Sequence, residues 1–394
     1  MTKRTYAVWG TRAVGQWLAE EIIRLGDRVS VYCSSSKTSQ GKLINGTPVI
    51  SPEKLKDLCS KQEITHIVLG MVSESHKQKV REILKCEFPK GIHIINSDDI
   101  QNQYLLNVRS QWNNSWHIDF QNQGTIWLQN FMKEVEYWVQ YVVNPNGRDH
   151  HTYHEWLSNA DFAGIDKTCT ILEPTLRDGS VVLDLGSGLV SKYGTRLPDN
   201  KTIQLVPVDA LAYFYNKINQ KYAPGKIQTC NFGMFEFIAD FYSENNFDAI
   251  VISNALDHCI DPYKSIIECL YVLKKGGRMH LVHRRAEAVF EGYDGLHKWN
   301  IDYNEHNDLV IWNEYNTVNV TESLKEIAEI RLTHEDDFSP RRKQLITVEI
   351  TKAKNFLLEN SIDMEKERHY LAFLVEGLMK CIADGIELEN FLTV

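Results

Sequence analysis

The run Val181-Val-Leu-Asp-Leu-Gly-Ser-Gly188, with Asp209 twenty-one residues beyond it, constrains this chain more than any other feature. An apolar stretch that ends in a glycine turn describes a buried parallel strand passing its chain to a loop. Glycines there let backbone approach a ligand that a Cβ would push away. Asp209 closes a second apolar stretch, Ile203-Gln-Leu-Val-Pro-Val-Asp209. An acid at such a strand end accepts two hydrogen bonds from a ribose diol. Strand, Gly-x-Gly, helix, strand and acid together make the layout of a nucleoside-binding α/β unit.

Composition sets outer bounds. A chain of 394 residues forms two or three domains, each able to bury a core. A formal net charge of −9 disfavours a nucleic-acid partner, because phosphate backbones are held by clustered Lys and Arg. No apolar run approaches the roughly 18–20 residues of a membrane span. Met1-Thr-Lys-Arg-Thr-Tyr6 has no signal-peptide apolar segment. The eight cysteines are scattered without a C-x-x-C pair, which reads as reduced thiols in the cytoplasm.

Four segments follow from the patterning. Residues 1–98 read as a Rossmann-like α/β domain, with strands Tyr6–Gly10, Val29–Cys33, Ile64–Gly70 and Ile92–Asn96. Its turn, Gly10-Thr-Arg-Ala-Val-Gly15, has Arg12 where a dinucleotide fingerprint has its middle glycine, so dinucleotide binding is disfavoured. Residues 99–178 read as a helical connector and lid. Its helix spans Ile126–Val143, and Asn144-Pro-Asn-Gly147 ends it as a turn. Residues 179–352 hold the site-bearing α/β unit. Residues 353–394 read as a helical tail that packs on the body or on a second subunit of a homo-oligomer.

In the third segment the strand ends converge. Asp184, Gly186 and Gly188 lie on the first turn and Asp209 ends the second strand. Cys230-Asn-Phe-Gly-Met-Phe-Glu236 follows the third. Phe247-Asp-Ala-Ile-Val-Ile-Ser253 runs into the polar loop Asn254-Ala-Leu-Asp-His-Cys-Ile-Asp-Pro262, and Val272-Leu-Lys-Lys-Gly-Gly277 precedes a fifth strand, Arg278–His283. In open α/β sheets ligands bind beyond the carboxyl ends of the strands, where these loops lie.

The chain resembles the class I S-adenosylmethionine-dependent methyltransferases. The residues that carry the likeness are Leu183–Gly188, Asp209, Phe247-Asp-Ala-Ile250 and Leu273-Lys-Lys-Gly-Gly-Arg278, in the family's order and spacing. The resemblance implies a seven-stranded sheet whose last strand, Lys343–Ile350, is antiparallel. It implies S-adenosylmethionine as cofactor: Asp184, Gly186 and Gly188 at its methionine end, Asp209 on the ribose, Phe232 and Gly233 beside the adenine, and Asn254 nearby. Leu189 and Val190 stand where the family often has a third glycine.

The loop 254–262 and Tyr293-Asp-Gly-Leu-His-Lys-Trp299 are similar to bacterial methyltransferases found with polysaccharide and nucleotide-sugar genes. Gly41–Leu55 resembles the Rossmann-like domain that fronts many bacterial sugar-modifying enzymes. These likenesses imply a sugar or glycan acceptor, methylated on a hydroxyl. A hydroxyl needs a base to take its proton as the new bond forms. His258 is the leading candidate base, Asp257 its orienter or a base itself, and His297 the runner-up. His283, Tyr293 and Trp299 are candidate acceptor contacts, the aromatics as a stacking platform. Tyr137, Trp138, Arg148 and His154 are candidates for a helical cover over the cofactor. No metal site is expected, since Asp257 and Asp261 alone do not make one. Two other readings remain: an NAD(P)-dependent dehydrogenase or epimerase module in residues 1–98, making the chain bifunctional, and a non-catalytic assembly protein that retains the cofactor fold.

Overall fold

The structure, a computed structural model, describes residues 4–71, 74–95, 115–144, 169–171, 176–336, 344–358 and 364–383, with 100, 105, 108 and 109. The chain divides into two compact units, Met1–Asn113 with Glu335–Leu345, and Asn114–His334 with Ile346–Val394.

The first unit holds strands β1 (Thr5–Trp9), β2 (Arg28–Cys33), β3 (Leu43–Ile44), β4 (Thr47–Ile50), β5 (His66–Leu69) and β6 (His93–Ile95), in spatial order β3-β4-β2-β1-β5-β6. The described pairings are parallel except β3 with β4, which two turn residues join as a hairpin. Helices α1 (Ala13–Arg24), α2 (Pro52–Ser60) and α3 (Glu74–Glu87) alternate with the strands. Ser51 starts α2 by accepting the Lys54 amide, ahead of a proline that needs no donor partner. Trp9, Leu55, Ile67 and Leu69 anchor this unit's core. A Cβ on Gly15 would stand 2.1 Å from the Gly10 carbonyl oxygen, so close backbone packing alone requires that glycine.

The second unit is built on a seven-stranded sheet. Its strands are β7 (Val181–Leu185), β8 (Gln204–Asp209), β9 (Asn231–Phe232), β10 (Phe247–Ser253), β11 (Leu273–Arg284), β15 (Ala328–Asp336) and β16 (Gln344–Lys352), ordered β15-β16-β11-β10-β7-β8-β9. Pairings of β7 with β8 and β10, of β8 with β9, and of β10 with β11 are parallel. Seven residues separate β15 from its neighbour β16, too few for a parallel crossover, so that pair is antiparallel. The last strand runs slightly beyond the expected Lys343–Ile350. Central strands are buried on both faces, as covered parallel strands must be, and β16 alternates buried with half-buried. The sheet carries α5 (Ala212–Tyr222), α6 (Ile238–Phe241) and α7 (Pro262–Val272) between its strands. Between β11 and β15 the chain forms α8 (Glu287–Phe290), a small antiparallel sheet of β12 (Asn300–Tyr303), β13 (Leu309–Trp312) and β14 (Thr317–Asn319), and α9 (Val320–Leu324).

Helix α4 (Phe120–Val143) starts at Asp119, whose carboxylate accepts the Asn122 amide. Phe120, Trp127, Phe131, Val135, Val139 and Val142 recur at helical spacing and form one buried stripe. That stripe packs on Leu211, Phe214 and Ile218 and on Leu374 and Leu378 of α10 (Met364–Ala383). Pro145–Gly147, Arg148 and His154 lie outside the described residues, as does half of the 99–178 segment. Among the described residues no helix is long and apolar enough to cross a membrane.

Candidate active site

Strand β7 is an interior strand of the sheet, next to the central β10, where the strand order reverses between β8 and β10, the place at which an open α/β sheet opens a crevice. Gly186 turns the chain there at φ +71°, its amide donating to the Val208 carbonyl at 2.8 Å. A Cβ on Gly186 would meet Ala255 Cβ at 2.5 Å and Phe235 Cζ at 2.9 Å, so this turn packs directly on the loop after β10. Among the described residues nothing lies within 4 Å of the same position on Gly188, at φ +66°.

Asp209 closes the turn from the neighbouring strand. One carboxylate oxygen accepts the Gly188 amide at 3.1 Å and the other the Leu211 amide at 2.9 Å. Burial pushes its pKa up to about 6, with those two amides pulling the other way. Beyond it Phe232 is exposed, edge-on to Phe241, while Gly233 is buried where a Cβ would strike Val208. Asp184 is buried under the turn. Asn254 adopts the left-handed φ of +50° that asparagine tolerates, and its side-chain oxygen accepts the Arg284 amide at 3.1 Å. A glycine turn, a strand-end acid and an exposed aromatic ring fit a nucleoside cofactor.

The loop after β10 carries a second constellation. Asp257 is fully buried and its two carboxylate oxygens face different histidines. His283 Nε2 lies 2.9 Å from Oδ1, and His297 Nδ1 lies 2.6 Å from Oδ2. His258 Nε2 is 3.1 Å from that same His297 nitrogen and 3.8 Å from Oδ2. His283 Nδ1 is 2.7 Å from the Arg284 carbonyl oxygen. A carboxylate and a carbonyl only accept, so His283 satisfies both neighbours as the imidazolium. Burial raises the Asp257 pKa, and the charges of His258 and His283 outweigh it, so the carboxyl titrates far below its ordinary value. Burial disfavours charge on His283 and His297 as well, yet the Asp257 carboxylate lifts both above the ordinary imidazole value.

The insertion after β11 delivers His297. Trp299 pins it: the indole N–H donates to the Cys259 carbonyl at 2.9 Å, and the ring stacks on Trp116. The Lys298 amide donates to the Asp257 carbonyl at 3.1 Å, and Trp127 of α4 donates to the His258 carbonyl at 2.9 Å. Two expectations are thereby corrected. Trp299 is 1% exposed with its N–H engaged, so it cannot be a stacking platform. His283 is 0% exposed with both nitrogens engaged, so it touches no acceptor and instead holds Asp257. Tyr293 is half-buried, its hydroxyl accepting from Asn300 at 3.0 Å. Tyr137 is exposed, and Trp138 packs edge-on against Tyr215. Asp261 caps α7 through the Lys264 amide.

Glu236 is the supporting residue that sequence reasoning passed over. It is 3% exposed, and one carboxylate oxygen accepts the amides of Ile260 and Asp261, fixing the loop that carries His258. Burial pushes its pKa up to about 7. Glu236→Ala would leave two buried N–H groups without an acceptor, an expected cost of about 2–4 kcal/mol in denaturant unfolding. Glu236→Gln keeps an acceptor oxygen and is expected to cost clearly less; an undiminished stability in Glu236→Ala would show that the loop does not depend on this carboxylate.

A family model described as "Methyltransferase domain" matches residues 183–281, the stretch from the β7 turn through β11. The sequence matches no curated protein. Among solved structures, a chain of the complex between the Haloferax volcanii Trm112 methyltransferase activator and a putative methyltransferase aligns at 14% identity and TM-score 0.34, covering 57% of this chain and 99% of that one. A Methanosarcina mazei S-adenosylmethionine-dependent methyltransferase aligns at 16% identity and TM-score 0.29, covering 46% and 98%. A putative sarcosine dimethylglycine methyltransferase from Galdieria sulphuraria aligns at 14% and 0.32, covering 52% and 88%. Likenesses of that size decide nothing about function. Residues 183–281 carry a methyltransferase domain, and the cofactor is S-adenosylmethionine.

Proposed function

We propose that this chain methylates a hydroxyl of a sugar, nucleotide-linked or within a glycan. The observation that carries the reading is the Asp257–His297–His258 constellation, formed where His297 of the insertion after β11 meets the loop that packs on the Gly186 turn. When bound, S-adenosylmethionine supplies a methyl group on a positively charged sulfur. In this reading the backbone at Gly188, with Gly186 and Asp184 beneath, receives its amino-acid end. Asp209 accepts the ribose hydroxyls, Phe232 and Gly233 border the adenine, and Asn254 holds the ends of β10 and β11 together beside it.

The hydrogen bonds favour His297 over His258 as base. Because the carboxylate at 2.6 Å can only accept, the His297 proton sits on Nδ1 and its basic lone pair on Nε2. His258 Nε2 faces that same N–H, which leaves its lone pair engaged and its ring a neighbour of the acceptor. Asp257 orients His297 and balances the charge it gains, and buried His283 keeps Asp257 in place.

The sugar rests on the segments 41–55, 254–262 and 293–299 and their resemblance to sugar-modifying enzymes, with Tyr293 as the acceptor contact. We read the first unit as a Rossmann-like module without dinucleotide chemistry, because backbone packing accounts for Gly15 and Arg12 occupies the position that should lie against a pyrophosphate. A screen of nucleotide sugars with the cofactor, read by mass spectrometry, should give a product heavier by one methyl-for-hydrogen exchange. Methylation of an amine or carbon acceptor alone would overturn the hydroxyl assignment.

A further inference from the structure

We propose that Asp257, His258 and His297 form a binding site for a divalent first-row transition cation. Among the described residues these are the one group of three whose ligand atoms converge closely enough to hold an ion. The separations are 2.6 Å from Asp257 Oδ2 to His297 Nδ1, 3.1 Å from His297 Nδ1 to His258 Nε2, and 3.8 Å from His258 Nε2 to Oδ2. Ligands each about 2.1 Å from a common centre stand about 3.0–3.4 Å apart, so the cation needs shifts of well under 1 Å.

The surroundings are those of a held site. The Asp257 carboxylate has its other oxygen engaged by His283, the outer hydrogen bond that fixes a ligating carboxylate. The two loops are locked in register by the Lys298 amide on the Asp257 carbonyl and the Trp299 indole on the Cys259 carbonyl. The Asp257 side chain is 0% exposed, whereas those of His258 and His297 are 24% and 25% exposed, which leaves an entry path and open coordination positions on the imidazole side. Two imidazole nitrogens for one carboxylate oxygen select manganese-to-zinc-type ions over magnesium or calcium. The positive His283 behind Asp257 weakens the pull on a cation, so the affinity is micromolar rather than that of a closed structural zinc site.

Occupation has a chemical cost. In the neutral ring His297 Nδ1 ligates only once its single hydrogen has moved to Nε2, a tautomer change with no net proton released. The lone pair that the methyl-transfer reading uses is thereby withdrawn.

Titrating the full-length, chelator-treated chain with Co²⁺ tests the site, followed by visible absorption and by calorimetry. We expect one cation per chain, micromolar affinity, and loss of at least tenfold in affinity in His258→Ala and separately in His297→Ala. The exposed pair His306→Ala and Glu305→Gln should change nothing. No binding, or binding unchanged in both site variants, would overturn the proposal. Neither cofactor nor acceptor is in the cell, so failure here and failure of methyl transfer are separate results.

Discussion

His297→Ala is expected to bind S-adenosylmethionine within about threefold of the unaltered chain and to lose about 10²–10⁴ in turnover, the usual worth of a positioned base. The ring reaches the site from the insertion after β11 and touches Asp257 and His258 but none of the residues that would cradle the cofactor. Removing it therefore takes away proton uptake and leaves the glycine turn and Asp209 intact. His258→Ala, which removes a neighbour rather than the free lone pair, should lose less. A larger loss in His258→Ala than in His297→Ala would return the base to His258.

Asp209→Ala should weaken S-adenosylmethionine binding by about 10²–10⁴-fold, because two hydrogen bonds to a charged acceptor are worth about 1.5–3 kcal/mol each. The same substitution frees the Gly188 and Leu211 amides, so the turn loosens as well. The effect has a pH signature. Burial raises this carboxyl to about 6, so the folded chain binds that proton more tightly than an unfolded one would. Its contribution to folding therefore improves as pH falls through 6, while cofactor binding, which needs the ionised acceptor, worsens over the same range. Calorimetric affinity should fall between pH 7.5 and 5.5 in the unaltered chain and stay level in Asp209→Asn. A pH-independent affinity in the unaltered chain would remove Asp209 from the ribose.

What could be read before folding, and what could not, divides along sequence distance. Leu183–Gly188, Asp209 and the Phe247 strand announce themselves because strand, turn and acid are local patterns, and the sheet places their strands side by side. The Asp257 constellation was visible only as fragments. Whether His283 faces solvent or Asp257, and whether Trp299 stacks on a ligand or on Trp116, depends on how the β12–β14 insertion closes over the loop after β10. No period or motif in residues 285–327 reports that closure. Glu236 was passed over for the same reason: its partners are the backbone amides of residues 260 and 261, and backbone amides leave no mark in a sequence.

Calorimetric titration of the unaltered full-length chain with S-adenosylmethionine goes most directly to the central claim. Saturable binding of one cofactor per chain, displaced by S-adenosylhomocysteine and left unchanged by excess NADH, is the result expected from the turn at Gly186–Gly188 and the acid at Asp209. No saturable binding by a demonstrably folded chain, or displacement by NADH, would contradict it.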